Sequence, residues 1–225
     1  YQATDKLSLA GGIDMRYYQG EHYSEIYDLL GGDYAVSTDN INQLSAVKRV
    51  GDKIGYHNDA IVKWSGVFSQ AEYSNGMLSV FFNISGSNSA HKRIDYFQKK
   101  DDLQYVSTDW KWIRGYTIKA GANVNLDEYN NVFFNTGYIS KAPKFSNIYT
   151  QSNTLQTYIN NEEVKAIEGG YSFRSSSFSA NINTYFTVWE NKPANISAAI
   201  GGIRYSDVVP MNALHKGLEI DWSYK

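Results

Sequence analysis

Residues 112–141 have the sequence WIRGYTIKAGANVNLDEYNNVFFNTGYISK, and this stretch decides the fold. In residues 112–126, apolar or aromatic side chains recur at every second position: Tyr116, Ile118, Ala120, Ala122, Val124 and Leu126. The residues between them are polar, charged or glycine, so this period of two predicts a strand with one apolar and one polar face. A polar turn at residues 127–131 follows, and the alternation returns in residues 132–141. The stretch therefore predicts a β-hairpin with two long strands.

Other parts of the chain repeat this design. The segments with the same alternation are residues 6–18, 59–73, 78–84, 112–126, 132–141, 163–173, 178–188 and 214–224. They are joined alternately by short turns (74–76, 127–131 and 174–177) and by long polar loops (20–56, 87–111, 142–161 and 191–213). Tight turns at one rim and long loops at the other are typical of a transmembrane β-barrel. We therefore expect about eight antiparallel strands in up-and-down order.

The turn at Asn75-Gly76 is the strongest local hairpin signal. It follows residues 59–73, whose apolar set comprises Val62, Trp64 and Phe68. Asn-Gly favours a type I′ turn, because that turn needs a positive φ at both central residues. The sequence predicts such a turn here, with Val62, Trp64 and Phe68 on the apolar face of the strand.

The composition excludes several classes of protein. The chain has 225 residues and a net charge of −2, which leaves no electrostatic footprint for nucleic acid. It has no cysteine, and therefore no disulfide or thiol chemistry. It also lacks any apolar run of about 18 residues, the length that a membrane-spanning helix needs. Its 19 Tyr, 5 Trp and 10 Phe would suit the aromatic girdles of a membrane barrel, or a sugar-binding β-sandwich.

Strand length favours the membrane barrel over a soluble β protein. Soluble strands typically have about 5 to 6 residues, whereas a tilted strand that crosses a membrane has about 9 to 11. Most of the alternating segments reach the longer figure. The polar faces carry charges and amides in mid-strand, which would line a wet or plug-filled lumen. We therefore expect an all-β, antiparallel transmembrane barrel segment.

Several stretches, in order, resemble the barrel of TonB-dependent outer-membrane receptors. The nearest variant is the one whose full chain begins with a carboxypeptidase-regulatory-like domain. The stretches that carry the resemblance are residues 55–59, 64–73, 92–97, 119–126, 133–143 and 181–189. Such receptors have a 22-stranded barrel closed by an N-terminal plug, and they import scarce nutrients such as metal chelates, cobalamin or glycans.

The resemblance implies a location in the bacterial outer membrane and a set of partners. Residues 1–225 would be one barrel portion of a longer protein, whose plug domain and remaining strands are absent from this chain. The implied partners are outer-membrane lipid, the plug and remaining strands, a surface lipoprotein, and a TonB-type energising protein that acts through the missing N-terminal region. No cofactor is implied.

The sequence contains no catalytic or metal-binding motif. There is no His-Glu-x-x-His pattern and no Gly-x-Ser-x-Gly elbow, so we expect neither an enzyme nor a metal site. All four histidines, including His91 and His215, are expected in or beside long loops. Ligand contacts are expected on loops and loop-facing strand ends, because a rigid scaffold holds such residues in place. The candidates for binding are Arg16, Tyr17, His22, Tyr23, His57, Trp110, Trp112, Tyr149 and Tyr158.

Three functions remain open from the sequence. The first is part of an energy-coupled outer-membrane importer. The second is a self-contained eight-stranded barrel that serves as an anchor or adhesin, because eight strands can close by themselves. The third is a soluble carbohydrate-binding β-sandwich.

Overall fold

The computed structural model describes residues 1–43, 45–98, 106–150, 154–200 and 203–225. Eight long strands dominate it: β1 (Leu7–Glu25), β2 (Lys53–Ser74), β3 (Leu78–Asp95), β4 (Lys111–Asn125), β5 (Asn130–Lys141), β6 (Glu162–Arg174), β7 (Phe178–Ile200) and β8 (Ile203–Tyr224). Each pairs antiparallel with its neighbour in the sequence, so a single sheet runs from β1 to β8. The predicted eight strands and their up-and-down order are confirmed.

The remaining elements are short. Gln2–Thr4 pairs with β1, Val106–Ser107 pairs with β3, and Ala35–Val36 forms a separate two-stranded sheet with Val47–Lys48. A 3₁₀ helix covers Phe145–Asn147. Within the described ranges, no helix has the length and apolar character to span a membrane. The strand order of these ranges has Gln2–Thr4 at one end and β8 at the other, so the sheet they form is open.

The long strands extend beyond the segments that the sequence predicts. The expectation of a long loop at residues 191–213 is wrong, because β7 and β8 stay paired up to Ile200 and Ile203. Pro193 pairs with Pro210 there, just beyond a bulge between Trp189 and Lys192. Beyond the lipid both faces of a strand can meet water, so pairing continues without the alternation that marks a strand in the sequence. The predicted long loop at residues 142–161 does lie between strands, because β5 ends at Lys141 and β6 begins at Glu162.

The three short turns share one local device. In each, a polar side chain accepts a hydrogen bond from the backbone N–H three residues later: Asn75 from Leu78, Asp127 from Asn130, and Ser175 from Phe178. At the first turn only Gly76 has a positive φ, of 87°, so the predicted type I′ turn is wrong although the hairpin is confirmed. Asn75 acts through its side chain instead, as Asx turns do.

The strand register separates the side chains into an outer and an inner face. On the outer face Ile13 of β1 pairs with Val67 of β2, and in the same way Ile182 of β7 pairs with Ile220 of β8. Large apolar side chains on this face are each at least 41% exposed: Leu9, Ile13, Met15, Val67, Phe82, Ile84, Ile118, Phe134, Ile167, Phe186, Leu218 and Ile220. In a soluble sandwich a second sheet would cover such a face. Here it is an uncovered apolar band, as on the lipid side of a transmembrane barrel.

Strand β2 departs from the predicted face assignment. Trp64 pairs with Arg16, and Phe68 pairs with Gly12, so both aromatic residues lie on the inner, polar face. The prediction that they share the apolar face is wrong. The reason is register: β2 alternates apolar residues on both faces over part of its length, and only pairing with β1 decides which set faces lipid.

Aromatic rings on the inner face cover glycines on neighbouring strands. In four directly paired positions a Cβ on the glycine would collide with the ring of its partner: Gly12 with Phe68, Gly121 with Phe81, Gly170 with Phe133, and Gly217 with Tyr185. Each glycine leaves room for a ring to lie flat against the sheet, an arrangement known to stabilise glycine in strands.

Replacing Gly170 with Ala tests this packing. The new Cβ would meet Phe133 and the side chain of Asn183, so we expect a loss of about 1–3 kcal/mol in the free energy of unfolding. The matched control is Gly169→Ala on the outer face, where the nearest atom to a Cβ is a backbone oxygen at 3.5 Å. Urea unfolding of the full-length protein in lipid vesicles measures both. Equal losses for the two variants would contradict the packing account.

The turn at Asp127 should be sensitive to acid. Hydrogen bonds from the Tyr129 N–H and from Asn130 hold the pKa of Asp127 below its ordinary value of 3.8. The contribution of Asp127 to the free energy of unfolding is therefore complete above pH 3.8, and it is lost as the pH falls through the lowered pKa. Asp127→Asn keeps the acceptor but cannot titrate, so its free energy of unfolding should fall less than that of the wild type between pH 5 and pH 2. Parallel pH curves for the two proteins would argue against this role of Asp127.

Candidate functional site

A cavity of about 530 Å³ opens on the inner face near the loop ends of β1 to β5. It combines aromatic rings, hydroxyls and charged groups on adjacent strands. Its inner-face lining comprises Asp14, Val62, Trp64, Gly66, Phe68, Ser85, Ser87, Ser89, His91, Thr117, Ile139 and Lys141. The serines follow one another at every second position of β3, which is why their hydroxyls share one face.

Trp64 lines one wall of this cavity, and Arg16 packs against its ring. The Trp64 ring lies over Gly66, where a Cβ would collide with it. The Arg16 guanidinium lies 5.2 Å from the centre of the Trp64 ring and forms a salt bridge with Asp14. Arg16 is thus ordered by a cation–π contact and an ion pair on the inner face. None of the nine predicted binding residues is among the described residues that line the cavity; Arg16 lies beside it, against the Trp64 ring.

His91 lies at the loop end of the same cavity. It is only 5% exposed, and neither ring nitrogen has a hydrogen-bond partner among the described residues. Its carbonyl oxygen accepts a hydrogen bond from the Tyr149 hydroxyl at 2.7 Å. Burial raises the pKa of Tyr149, which keeps that hydroxyl protonated as a donor. Tyr149, another predicted binding residue, does not line the cavity, but it contacts the backbone of His91, which does.

The loop at residues 142–161 folds onto the inner face beside His91. Ile148 is fully buried and packs with Ile113 of β4 and with Tyr149. Polar contacts hold the loop at its middle and at its end: Arg93 donates to the Thr150 carbonyl oxygen at 2.7 Å, and Asn161 donates to the Ser140 hydroxyl at 2.8 Å. The loop therefore covers part of the inner face, although its sequence reads only as a polar connection.

A second polar cluster lies on the outer face, at the loop ends of β1 and β2. His57 Nε2 lies 2.7 Å from a carboxylate oxygen of Glu21 and 3.0 Å from Lys53 Nζ. Lys53 also forms a salt bridge with Glu21 and lies 4.1 Å from the centre of the Tyr23 ring. The Tyr96 ring packs against His57 with centroids 4.4 Å apart. The structure thus brings Tyr23 and His57 together, but on the face opposite the cavity.

The other predicted binding residues are dispersed. Tyr17 and Trp112 lie on the outer face and are 63% and 57% exposed. Trp110 precedes β4, and the centre of its ring lies 4.5 Å from Lys63 Nζ. His22 contacts the Tyr18 hydroxyl at 3.3 Å, and Tyr158 is exposed within the loop at residues 142–161.

Several residues of the inner-face cavity and of the outer-face polar cluster could not be identified from the sequence. All four histidines lie on strands: His22, His57 and His91 are near the loop ends of β1, β2 and β3, and His215 is in β8, where the loop predicted at residues 191–213 is wrong. The strands extend past the lipid-facing segments and carry the histidines with them. Glu21 and Lys53 fall within the loop predicted at residues 20–56, and Trp64 falls within a predicted strand; only the register of β1 and β2 brings them beside their partners. The described residues contain no group of three His, Asp or Glu side chains that could hold a metal ion.

The sequence matches no protein-family model and no curated protein. Solved structures do match. The copper transporter OprC superposes with a TM-score of 0.70 and 13% sequence identity; the match covers 99% of this chain and 33% of OprC. The chain therefore has the fold of part of an outer-membrane β-barrel. This chain spans a third of that structure. A Pseudomonas aeruginosa FadL homologue, which this chain covers to 65%, superposes loosely, with a TM-score of 0.35 and 11% identity. The predicted barrel segment is confirmed, and this fold agrees with the predicted outer-membrane location.

Replacing Ile148 with Ala tests how the loop at residues 142–161 is held. Replacement of a fully buried isoleucine by alanine typically costs about 2–5 kcal/mol, and Ile148 is the loop's contact with Ile113 of β4. We expect faster hydrogen exchange across the described loop residues and unchanged exchange in β4 and β5. Tyr158→Ala, in the same loop but exposed, should leave exchange unaltered. Faster hydrogen exchange in β4 and β5 would show that Ile148 supports the sheet rather than the loop.

Proposed function

We propose that this chain is part of an energy-coupled importer of the TonB-dependent type in the outer membrane, and that its cargo is a scarce nutrient. The observation that carries the proposal is the superposition of nearly the whole sheet on one third of a larger transporter barrel. The stretches that resemble TonB-dependent receptors, in order along the chain, support the choice of that family. The chain would then be one barrel portion, with the plug and other strands in the rest of the protein.

The open sheet supports a portion of a larger ring. A self-contained eight-stranded barrel would join β1 to β8, whereas within the described ranges the strand order ends at Gln2–Thr4 and at β8. Further strands could pair on both sides. The polar inner face would then line the lumen, and the apolar outer face would meet lipid.

The cavity on the inner face supports contact with cargo or plug. It presents the Trp64 ring, a row of three β3 hydroxyls, and the charges of Asp14 and Lys141 toward the lumen. Aromatic rings beside convergent polar groups are the usual lining of a ligand site. A nutrient with both apolar and hydrogen-bonding surface would fit this chemistry.

The test is uptake by cells that carry the full-length protein. Deletion of its gene should abolish uptake of one of three labelled probes: a ferric chelate, cobalamin or an oligosaccharide. In the complemented strain, dissipating the proton gradient should stop that uptake. Undiminished uptake in de-energised cells would indicate a passive pore and contradict the proposal, as would normal uptake of all three probes after deletion.

Two tryptophans on opposite faces provide a matched pair for the same assay. Trp64→Ala removes a ring from the inner-face cavity and should lower uptake, with an expected loss of about tenfold or more. Trp222→Ala removes a ring that is 71% exposed on the outer face, and uptake should stay at the wild-type rate. Surface labelling confirms equal amounts of both variants. Equal uptake by the two would argue against the inner face as the path of the cargo.

A further inference from the structure

The outer face changes character toward the loop ends of β1 to β4. Above the apolar band, one register row consists of Met15, Ser65, Asn88 and Arg114. The next row toward the loops consists of Tyr17, Lys63, Ala90 and Trp112. Exposed aromatic residues next to an apolar band mark the membrane interface of a barrel. Arg114 and Lys63 therefore lie at the level where lipid headgroups meet the protein. This level belongs to the outer leaflet, because the long loops of such barrels are extracellular.

A groove of about 380 Å³ crosses this boundary. Its lining includes Ile13, Ser65, Val67, Gly86, Asn88 and Arg114. The groove exists because Gly86 has no side chain, and a Cβ there would meet open space. Toward the apolar band it is bordered by Ile13 and Val67, which are 73% and 58% exposed. At the loop end it is bordered by polar Asn88 and cationic Arg114.

Arg114 differs from another cation on the same face. Lys165 lies 2.7 Å from Glu190 and 3.9 Å from Glu163, so its charge is neutralised within the sheet. The exposed Arg114 side chain has no ion pair among the described residues. Lys63 adds a second positive charge two strands away, and its ammonium group lies 4.5 Å from the Trp110 ring. The polar end of the groove is therefore positive.

We propose that this groove binds a phosphorylated lipid of the outer leaflet, with its phosphate at Arg114 and an acyl chain along Gly86 toward Ile13 and Val67. Arginine suits this role because its planar guanidinium can donate two parallel hydrogen bonds to a phosphate. The apolar end, in the lipid-facing band, suits a hydrocarbon chain rather than a soluble anion. This lipid site lies on the face opposite the lumen and does not depend on transport.

Native mass spectrometry of the full-length protein in neutral detergent tests the site. Phosphatidic acid is the probe, and phosphatidylcholine and inorganic phosphate are the comparisons. We expect the wild type to retain phosphatidic acid in preference to phosphatidylcholine, and inorganic phosphate not to displace it. Arg114→Gln removes the phosphate contact, and Gly86→Leu places a side chain in the groove at a position where a Cβ meets no atom within 4 Å. Each should weaken retention by about tenfold, and Arg114→Lys should restore part of it.

Matched controls separate this site from general effects on the outer face. Lys216→Gln removes an exposed outer-face cation on β8, and Gly169→Leu adds the same side chain as Gly86→Leu on the outer face of β6. Both should retain phosphatidic acid like the wild type. Unchanged retention by Arg114→Gln or by Gly86→Leu would overturn the proposal. Displacement by inorganic phosphate would also overturn it, since the groove would then be an anion site and not a lipid site.

Discussion

The structure depends on one constraint: every backbone N–H and C=O group of a strand in lipid needs a partner on a neighbouring strand. Lipid offers no hydrogen bonds, so an unpaired group there costs several kcal/mol. The eight long strands meet this demand by pairing in sequence order across one sheet. A turn within the lipid would leave backbone groups unpaired, so the chain reverses direction only beyond the apolar band. The short turns therefore fall at one rim. The side chains of Asn75, Asp127 and Ser175 then satisfy the turn amides locally.

Register is the second consequence of that pairing, and it determines chemistry as well as shape. A shift of one residue would exchange the two faces of a strand. On the inner face the register places aromatic rings over glycines, and it places Arg16 beside Trp64. On the outer face it brings Arg114 and Asn88 together above Ile13 and Val67. The same pairing thus creates a polar cavity toward the lumen and a groove toward the lipid.

The loop at residues 142–161 shows how packing adds to this scaffold. It contributes Ile148 and Tyr149 to the small buried cluster around Ile113. Its contacts with Arg93 and with the carbonyl of His91 hold it against the inner face. Few residues of the described chain are buried in the usual sense, because the lipid takes the place of a core for the outer face. The loop cluster is therefore a local core at the loop end of an otherwise thin sheet.

The sequence by itself determined the number of long strands, their order, the positions of the short turns and the membrane-barrel class. These properties depend on local alternation and turn chemistry, which neighbouring residues carry, as in residues 112–141. Only the tertiary structure decided the face of Trp64, the strand positions of the histidines, the paired strands at residues 191–213 and the partners of Arg16, His57 and Arg114. Each of these depends on pairing between strands that are distant in the sequence, or on segments beyond the lipid where alternation no longer marks a strand. The period of two tells which residues share a face, but a second strand is needed to tell which face meets lipid.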